Sequence, residues 1–251
     1  MEDRAEQHFN RGWGYFQAGN YSEAVSSYDK AVAENPDYRD AWHNRGNALC
    51  GLGRYAEAIA SYDKALAIFP EYSTAWYDRG NALGGLGRYA EAVDSYDRAL
   101  AVEPDLVDAW FNRGIALRKL ERYDEAVDSY DKVLAIRPDE NDAWINRGVT
   151  LGLLGRYAEA VESYDTAIAI FRIVRKRGST AGSRAMRWDS MPKRSGRMMR
   201  RLPCIRSITD HGSAASNRMS PGCLQKRLTH MIRRSLKTLM MLQRGTPAVL
   251  R

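Results

Sequence analysis

The sequence predicts an all-α solenoid, in which similar pairs of antiparallel helices stack one after another. Three observations support this prediction: a fixed period, regular glycine and proline punctuation, and apolar residues at helical spacing. The motif Ala-Trp-x-x-Arg-Gly returns every 34 residues, and a period of this length is typical of repeat architectures rather than of a globular domain. The copies of the motif begin at Ala41, Ala75, Ala109 and Ala143.

Each copy divides into two predicted helices. In the second copy, Ala41, Arg45 and Leu49 fall on one face of the first helix, which the glycine-containing segment 51–54 then ends. The second helix carries an apolar stripe at spacings of three and four residues. The stripe consists of Ala58, Ile59, Tyr62, Ala65 and Leu66. Pro70 follows at a place where it cannot continue the helical hydrogen bonds.

One pair of helices cannot bury its own apolar stripe, so each copy depends on stacking against its neighbours. A weaker first copy begins near Ala5, with His8 in place of the tryptophan. The sequence therefore predicts a five-repeat domain over residues 1–174 and a basic, mostly disordered tail over residues 175–251. The predicted repeats are 5–38, 39–72, 73–106, 107–140 and 141–174.

These landmarks resemble the tetratricopeptide repeat (TPR) family, whose 34-residue unit of two helices has tryptophan, glycine, tyrosine, alanine and proline at set places. The sequence departs from that family at one position of every copy, where arginine instead of leucine precedes the first glycine. A cation at a normally packed position needs an acceptor. An aspartate follows the second aromatic residue of each copy, so we predict Arg–Asp pairs across neighbouring repeats, as in Arg79 with Asp63.

The resemblance also implies a binding surface, because the family holds extended peptides against one face of the first helices. On that face the sequence places aromatic residues, a series of asparagines and two cations. The candidate binding residues are Phe9, Asn10, Trp13, His43, Asn44, Asn47, Tyr77, Asp78, Asn81, Phe111, Asn112, Arg118, Lys119 and Asn146. The expected partner is an extended, partly apolar segment of another protein, anchored by aromatic side chains.

The asparagine series is open to two interpretations. Each side-chain amide offers donors and an acceptor that can hold a peptide backbone, and the series is similar to the asparagine ladder of O-linked N-acetylglucosamine transferases. The same amides can instead brace neighbouring helices. Chaperone-adaptor members of the family grip a terminal carboxylate with cations, and here only Arg118 and Lys119 place positive charge near the groove.

The charge of the chain changes sign near residue 172. Residues 1–171 hold 18 Lys and Arg against 29 Asp and Glu, whereas residues 172–251 hold 20 against 2, within a net charge of +7. The period ends at the same point, where Arg172 stands at the place of Pro70. The basic tail raises a second hypothesis, which is binding of nucleic acid or another anionic surface through residues 175–251.

The tail has another interpretation, a sixth repeat translated out of frame. Reading its codons one nucleotide earlier gives a forced answer at some positions, because methionine and tryptophan each have a single codon. Trp188 before Asp189 then encodes glycine, and Met191 before Pro192 encodes alanine, each at the place expected in a repeat. The positive charge of the tail would then follow from codon content, so we expect nucleic-acid binding less than protein binding.

The sequence contains no constellation typical of catalysis. Its four histidines and three cysteines lack metal-ligand spacing, and the glycine-rich segment 84–87 follows a predicted helix without a Lys-Ser or Lys-Thr partner. No nucleophile stands beside a base and an orienting group. We therefore expect a protein that is not an enzyme and that holds no metal and no cofactor.

Location and assembly complete the expectations from sequence. Residues 1–10 are polar, and no apolar stretch approaches the roughly 20 residues that span a membrane, so we expect a cytoplasmic protein. The uncapped last repeat near Ile168 offers a route to self-association. A further alternative is that the repeats are a non-catalytic fragment of a larger enzyme.

Overall fold

The computed structural model describes the backbone of residues 4–182 and the side chains of residues 4–173. In this part of the chain the regular secondary structure consists of ten α-helices, without strands. The helices are α1 (Arg4–Gln17), α2 (Tyr21–Glu34), α3 (Arg39–Gly51), α4 (Tyr55–Ile68), α5 (Ser73–Gly85), α6 (Tyr89–Val102), α7 (Val107–Lys119), α8 (Tyr123–Ile136), α9 (Asn141–Leu153) and α10 (Tyr157–Gly182).

The helices pack in chain order. Each odd-numbered helix is the first helix of a repeat and packs against the even-numbered helix that follows it. Each even-numbered helix up to α8 also packs against the first helix of the next repeat. Successive first helices contact one another as well, from α1 against α3 to α7 against α9. The predicted all-helical solenoid of antiparallel helix pairs is confirmed.

A glycine of each first helix lies against the ring of a tyrosine from the second helix of the same repeat. A β-carbon at Gly80 would stand 2.5 Å from Cε1 of Tyr96, whose side chain is fully buried. The same arrangement recurs in the other four repeats. Only a residue without a side chain allows this approach, because a β-carbon would overlap the ring.

The turn between the two helices of each repeat contains one residue with left-handed backbone geometry. In four repeats this residue is a glycine with φ between 74° and 80°. The four are Gly19, Gly53, Gly87 and Gly155. In the fourth repeat it is Glu121, with φ of 60°, where a side chain is sterically costly. The glycine-rich segment 84–87 therefore contains the end of α5 and the turn that follows it.

The predicted Arg–Asp pairs form at all four junctions between the five described repeats. Nε of Arg79 donates to Oδ1 of Asp63 at 2.7 Å, and Nη1 of Arg79 donates to Oγ of Ser95, also at 2.7 Å. The equivalent ion pairs are Arg45 with Asp29, Arg113 with Asp97 and Arg147 with Asp131. Each arginine thus ties the preceding repeat to the second helix of its own repeat, and the prediction is confirmed.

The tryptophan of the motif fastens the loop that enters its repeat. Nε1 of Trp76 donates to the carbonyl oxygen of Pro70 at 2.8 Å, and the Arg79 guanidinium lies 5.7 Å from the centroid of the Trp76 ring. Both contacts recur at Trp42, Trp110 and Trp144. The repeated sequence motif is therefore the junction between neighbouring repeats.

The last helix continues where the others end. Helices α2, α4, α6 and α8 have 14 residues each and end two residues before a proline, whereas α10 has 26 residues. Arg172 stands at the place of that proline, so the backbone N–H is retained and the helix continues. Helix α10 passes the predicted boundary at residue 174 and ends at Gly182. The tail predicted from residue 175 and the frame-shifted segment predicted from residue 172 therefore begin inside α10, and residues 183–251 lie outside the described residues.

Candidate functional site

The inner face is the side of the five first helices that carries the candidate residues, and it runs along helices that contact one another in succession. The structure divides these residues into two groups by exposure. Six side chains are buried: His43, Asn47, Tyr77, Asp78, Asn81 and Asn112. The others are half-buried or exposed: Phe9, Asn10, Trp13, Asn44, Phe111, Arg118, Lys119 and Asn146.

A polar cluster joins the second repeat to the third. Nε2 of His43 lies 2.8 Å from Oδ2 of Asp78, and both residues are buried. The hydroxyl of Tyr72 lies 3.3 Å from Nδ1 of His43 and 3.2 Å from Oδ1 of Asp40. Nε of Arg39 donates to the same Asp40 oxygen at 2.9 Å, and its guanidinium lies 4.9 Å from the Tyr72 ring centroid. The cluster fixes the orientation of α3 relative to α5.

Three asparagines continue this network through the middle of the inner face. The hydroxyl of Tyr62 donates to Oδ1 of Asn47 at 2.7 Å, within the second repeat. In the third repeat, Oδ1 of Asn81 accepts from the Tyr96 hydroxyl at 2.9 Å. The same oxygen accepts from Nδ2 of Asn112, also at 2.9 Å, across the junction to the fourth repeat. These asparagines brace neighbouring helices.

The remaining members of the asparagine series behave differently. Nδ2 of Asn44 donates to the backbone carbonyl of Asp40, and Nδ2 of Asn146 donates to that of Asp142, both at 2.8 Å. These bonds leave the amide oxygens of both side chains unused. Asn10, in the first repeat, is exposed. Asn112 is therefore a brace, while Asn10, Asn44 and Asn146 retain polar atoms that a ligand can reach.

In two of the repeats in which another residue replaces the bracing asparagine, the buried tyrosine hydroxyl lacks a hydrogen bond to any described residue. Trp13 stands at that position in the first repeat and Ile115 in the fourth. In the described part of the chain, the buried hydroxyls of Tyr28 and Tyr130 correspondingly have no hydrogen-bond partner. In the third repeat Oδ1 of Asn81 bonds to the Tyr96 hydroxyl, whereas its Nδ2, like the Tyr130 hydroxyl of the fourth repeat, has no partner among the described residues.

Burial governs the acid–base properties of these tyrosines. It raises the pKa of Tyr62 and Tyr96 well above the ordinary range. It also raises the pKa of Tyr72 to about 12, with a further contribution from the Asp40 carboxylate. Burial raises the pKa of Tyr130 to about 12, and the positive charge of Arg118 opposes that rise. All four hydroxyls stay neutral near pH 7 and act as hydrogen-bonding groups.

Accessible side chains lie toward the two ends of the inner face. In the first repeat Trp13 is 43% exposed and stacks on Phe16 with the ring centroids 5.9 Å apart, and Phe9 lies half-buried beside it on α1. In the fourth repeat Arg118 and Lys119 occupy the last turn of α7. Nε of Arg118 is buried without an acceptor among the described residues.

The sequence reasoning identified His43 and Asp78 but missed their partners. Tyr72, Asp40 and Arg39 complete the cluster from the end of a loop and the first turn of α3. A signal was present, because His43 interrupts an aromatic series and Asp78 interrupts the asparagine series. The two residues are 35 positions apart, one period and one residue, which places them on adjacent first helices.

Within the described part of the chain, no group of three or more His, Cys, Asp or Glu side chains is arranged to hold a metal ion. None of the described helices has the length and apolar character needed to cross a membrane.

Comparison with known proteins gives matches to repeat proteins. A family model described as tetratricopeptide repeat matches residues 9–73, 77–141 and 118–173. Among solved structures, residues 41 to the end of MamA from Desulfovibrio magneticus RS-1 are 22% identical, with a TM-score of 0.65, over 68% of this chain and 97% of that chain. No curated protein matches the sequence.

A second structure has higher sequence identity. YrrB, described as a TPR protein with an unusual peptide-binding site, is 27% identical with a TM-score of 0.59. The match covers 65% of this chain and 84% of YrrB. The repeated junction motif, the stacked helix pairs and the family model agree over most of the chain. The chain belongs to the tetratricopeptide repeat family.

Proposed function

We propose that this protein is a non-catalytic interaction scaffold that holds an extended segment of another protein against the inner face of its first helices. The observation that carries the proposal is the division of that face into a buried hydrogen-bonded centre and accessible aromatic and cationic ends. A rigid support with protruding anchors favours peptide binding, because little side-chain entropy is lost when the ligand docks.

The buried centre supplies the support. His43, Asp78, Asn81 and Asn112 hold three successive first helices in fixed relative positions through side-chain hydrogen bonds. Most of their polar atoms bond to one another, so these residues set the shape of the inner face and contribute little direct contact to a ligand. The candidate residues thereby separate into supporting residues and contacting residues.

The accessible ends supply the contacts. Trp13, stacked on Phe16, offers an apolar surface of the kind that dominates binding energy at protein interfaces. Asn44 and Asn146 offer amide oxygens to backbone N–H groups of an extended chain. Arg118 and Lys119, in the last turn of α7, offer positive charge to a carbonyl or carboxylate oxygen. A ligand that uses both ends has an apolar side chain near the first repeat and an acceptor near the fourth.

The relationship to YrrB supports this proposal, since YrrB shares the fold at 27% identity and is described as having a peptide-binding site. Nothing in that description identifies a ligand for the present chain. The ligand is therefore defined by its chemistry, and its sequence can be found by selection from a peptide library.

The test is selection of binding peptides from a phage-displayed random library on the full-length protein. The dissociation constant of the best synthetic peptide is then measured for the wild type and for Trp13→Ala, Arg118→Ala and Leu86→Ala. Leu86 is the matched control, because its side chain is 44% exposed, like that of Trp13, but lies outside the candidate residues. We expect Trp13→Ala to weaken binding at least tenfold, as loss of a tryptophan anchor commonly does, and Leu86→Ala to leave it unchanged.

Two results would contradict the proposal. One is that selection enriches no peptide. The other is that Leu86→Ala weakens binding as much as Trp13→Ala, which would show that the peptide lies elsewhere.

Binding of nucleic acid through residues 175–251 stays a separate hypothesis. It rests on the charge of the sequence, and the described residues offer no observation in its favour. Retention of the full-length protein on double-stranded DNA that falls steeply with salt concentration would support it.

A further inference from the structure

We propose that copies of this protein associate head to tail, with α1 of one copy stacking on α10 of the next as first helices stack on second helices inside the chain. In this arrangement Arg11 of one copy pairs with Asp165 of its neighbour. The argument rests on the contacts at the internal junctions and on the two end faces that lack them.

Each internal junction uses the same ion pair. The distance from the arginine Nε to the aspartate Oδ1 is 2.6 or 2.7 Å at all four junctions. The arginine is largely buried there, with 16% to 21% of its side chain exposed. Its Nη1 donates to a buried serine of its own repeat at 2.7 or 2.8 Å. The aspartate of the preceding repeat and the serine of the arginine's own repeat thus both hold the arginine side chain in place.

The N-terminal face of α1 carries one half of such a junction. Arg11 occupies the junction position but is exposed, and the equivalent serine, Ser27, donates only to the backbone of Glu23 among the described residues. Tyr15 is 36% exposed, whereas the leucines at the same position of the other four repeats are fully buried. Among the described residues, this face thus has a cation without an ion-pair partner beside an uncovered tyrosine.

The free face of α10 carries the other half. Asp165 occupies the position of the pairing aspartates and is exposed, with no arginine opposite it in the described part of the chain. Val161 is 42% exposed, whereas Val93 and Val127 at the same position are 3% and 4% exposed. The face thus presents an unpaired anion beside an uncovered apolar side chain.

A second copy is the occupant that fits both faces. The charges of Arg11 and Asp165 are opposite, and Tyr15 and Val161 stand at positions whose residues pack together at an internal junction. On each face the charged residue and the uncovered residue are four positions apart, as at the internal junctions. Two contacts are lost, because His8 replaces the tryptophan that donates to the proline carbonyl and lies beside the arginine guanidinium, and Arg172 replaces that proline. We therefore expect the junction between copies to be weaker than the internal ones and association to depend on protein concentration.

The geometry also predicts the type of assembly. A head-to-tail contact leaves one free face at each end of the dimer, so it adds further copies unless the arrangement closes into a ring. Arg11 and Asp165 lie outside the candidate binding residues, so substitutions at these two positions test association rather than peptide binding.

The test is sedimentation velocity of the full-length protein over a wide range of concentration. We expect the mean sedimentation coefficient of the wild type to rise continuously with concentration. Arg11→Asp and Asp165→Arg should each weaken association at least tenfold, and the double variant should recover it to within a few-fold of the wild type. The control variant is Arg98→Asp, which reverses an exposed charge on α6 away from both ends and should associate like the wild type.

Several results would overturn the proposal. A wild type that is monomeric at every concentration would overturn it. This holds whether the free face of α10 is covered by residues 183–251 of the same chain or only by solvent. Association that Arg98→Asp weakens as much as Arg11→Asp would also overturn it, as would a double variant without recovery. Circular dichroism of each variant establishes that the helices are intact, which we expect because Arg11 and Asp165 are exposed.

Discussion

The contacts that build and stack the repeats recur almost unchanged along the array, whereas the inner face of the first helices varies between repeats. The glycine–tyrosine contact is present in all five repeats and the arginine–aspartate pair at all four junctions. On the inner face, the position that holds Asn47 and Asn81 holds Trp13, Ile115 and Val149 in the other repeats.

This difference separates what builds the solenoid from what distinguishes one part of it from another. The repeated contacts are sufficient to stack any number of copies, since each copy relies on its neighbours in the same way. The variable positions decide which side chains of the inner face bond to one another and which remain available to a ligand. Variation confined to one surface of a repeated framework is consistent with a scaffold that recognises a partner there.

The largest expected effect concerns the glycine–tyrosine contact, which recurs in every repeat. Gly80→Ala should lower the free energy of unfolding by about 2 kcal/mol, because the new β-carbon would stand 2.5 Å from the Tyr96 ring. Gly14→Ala is the matched control, since nothing lies within 4 Å of a β-carbon there, and it should stabilise α1 by about 0.5–1 kcal/mol. Urea denaturation followed by circular dichroism measures both, and equal effects of the two substitutions would refute the close-contact explanation.

The next prediction compares two buried tyrosines whose inner-face neighbours differ. Asn81 accepts a hydrogen bond from Tyr96, whereas Ile115 stands at the equivalent position in the repeat of Tyr130. Tyr96→Phe should cost about 1 kcal/mol, because the Tyr96 hydroxyl donates to Asn81 at 2.9 Å. Tyr130→Phe should cost nothing or stabilise slightly, because the buried Tyr130 hydroxyl has no partner among the described residues. Chemical denaturation of the two variants checks this, and a greater loss at Tyr130 would contradict the assigned network.

A smaller effect tests the one turn in which the repeated framework itself departs from its pattern. Glu121→Gly should raise the free energy of unfolding by about 0.5–1 kcal/mol, because Glu121 has φ of 60° where the other four turns have glycine. The control is Arg122→Gly, one residue later, where no positive φ occurs. Thermal denaturation should show a higher midpoint for the first substitution and a lower midpoint for the second.

The smallest effect concerns the ion pairs of the junctions. A double-mutant cycle on Arg79 and Asp63 should give a coupling energy of about 0.5–1 kcal/mol, because the Asp63 side chain is 52% exposed and solvent screens the pair. The coupling should be smaller at high salt concentration. A coupling of zero at low salt would assign the arginine's role to its bond with Ser95 alone.

The periodic features could be predicted from the sequence because they recur in register. The fold, the repeat boundaries inside the domain and the pairing of Arg79 with Asp63 all follow from positions that are 34 residues apart. The inner-face bonds between repeats, from His43 to Asp78 and from Asn112 to Asn81, could not be predicted in this way, since neither recurs in register. Asn112 bonds to Asn81 while Asn44 and Asn146, at equivalent positions, bond to their own helices.

The extent of α10 shows a second limit. The sequence indicates that the period ends at Arg172, but the loss of a proline does not by itself say how far a helix continues. The helix continues to Gly182 through Gly178, Ser179 and Thr180, which are weak helix formers, so propensity does not predict where it ends.

The double attachment of each junction arginine has a consequence for how the protein opens. Removing the first repeat takes away Asp29, so Arg45 loses one of its two anchors and the next junction is weakened in turn. Opening should therefore begin at a terminus and advance one repeat at a time. Backbone amides of α5 and α6 should exchange their hydrogens for deuterium later than those of α1 and α2, giving a gradient of protection that is greatest in the middle of the array.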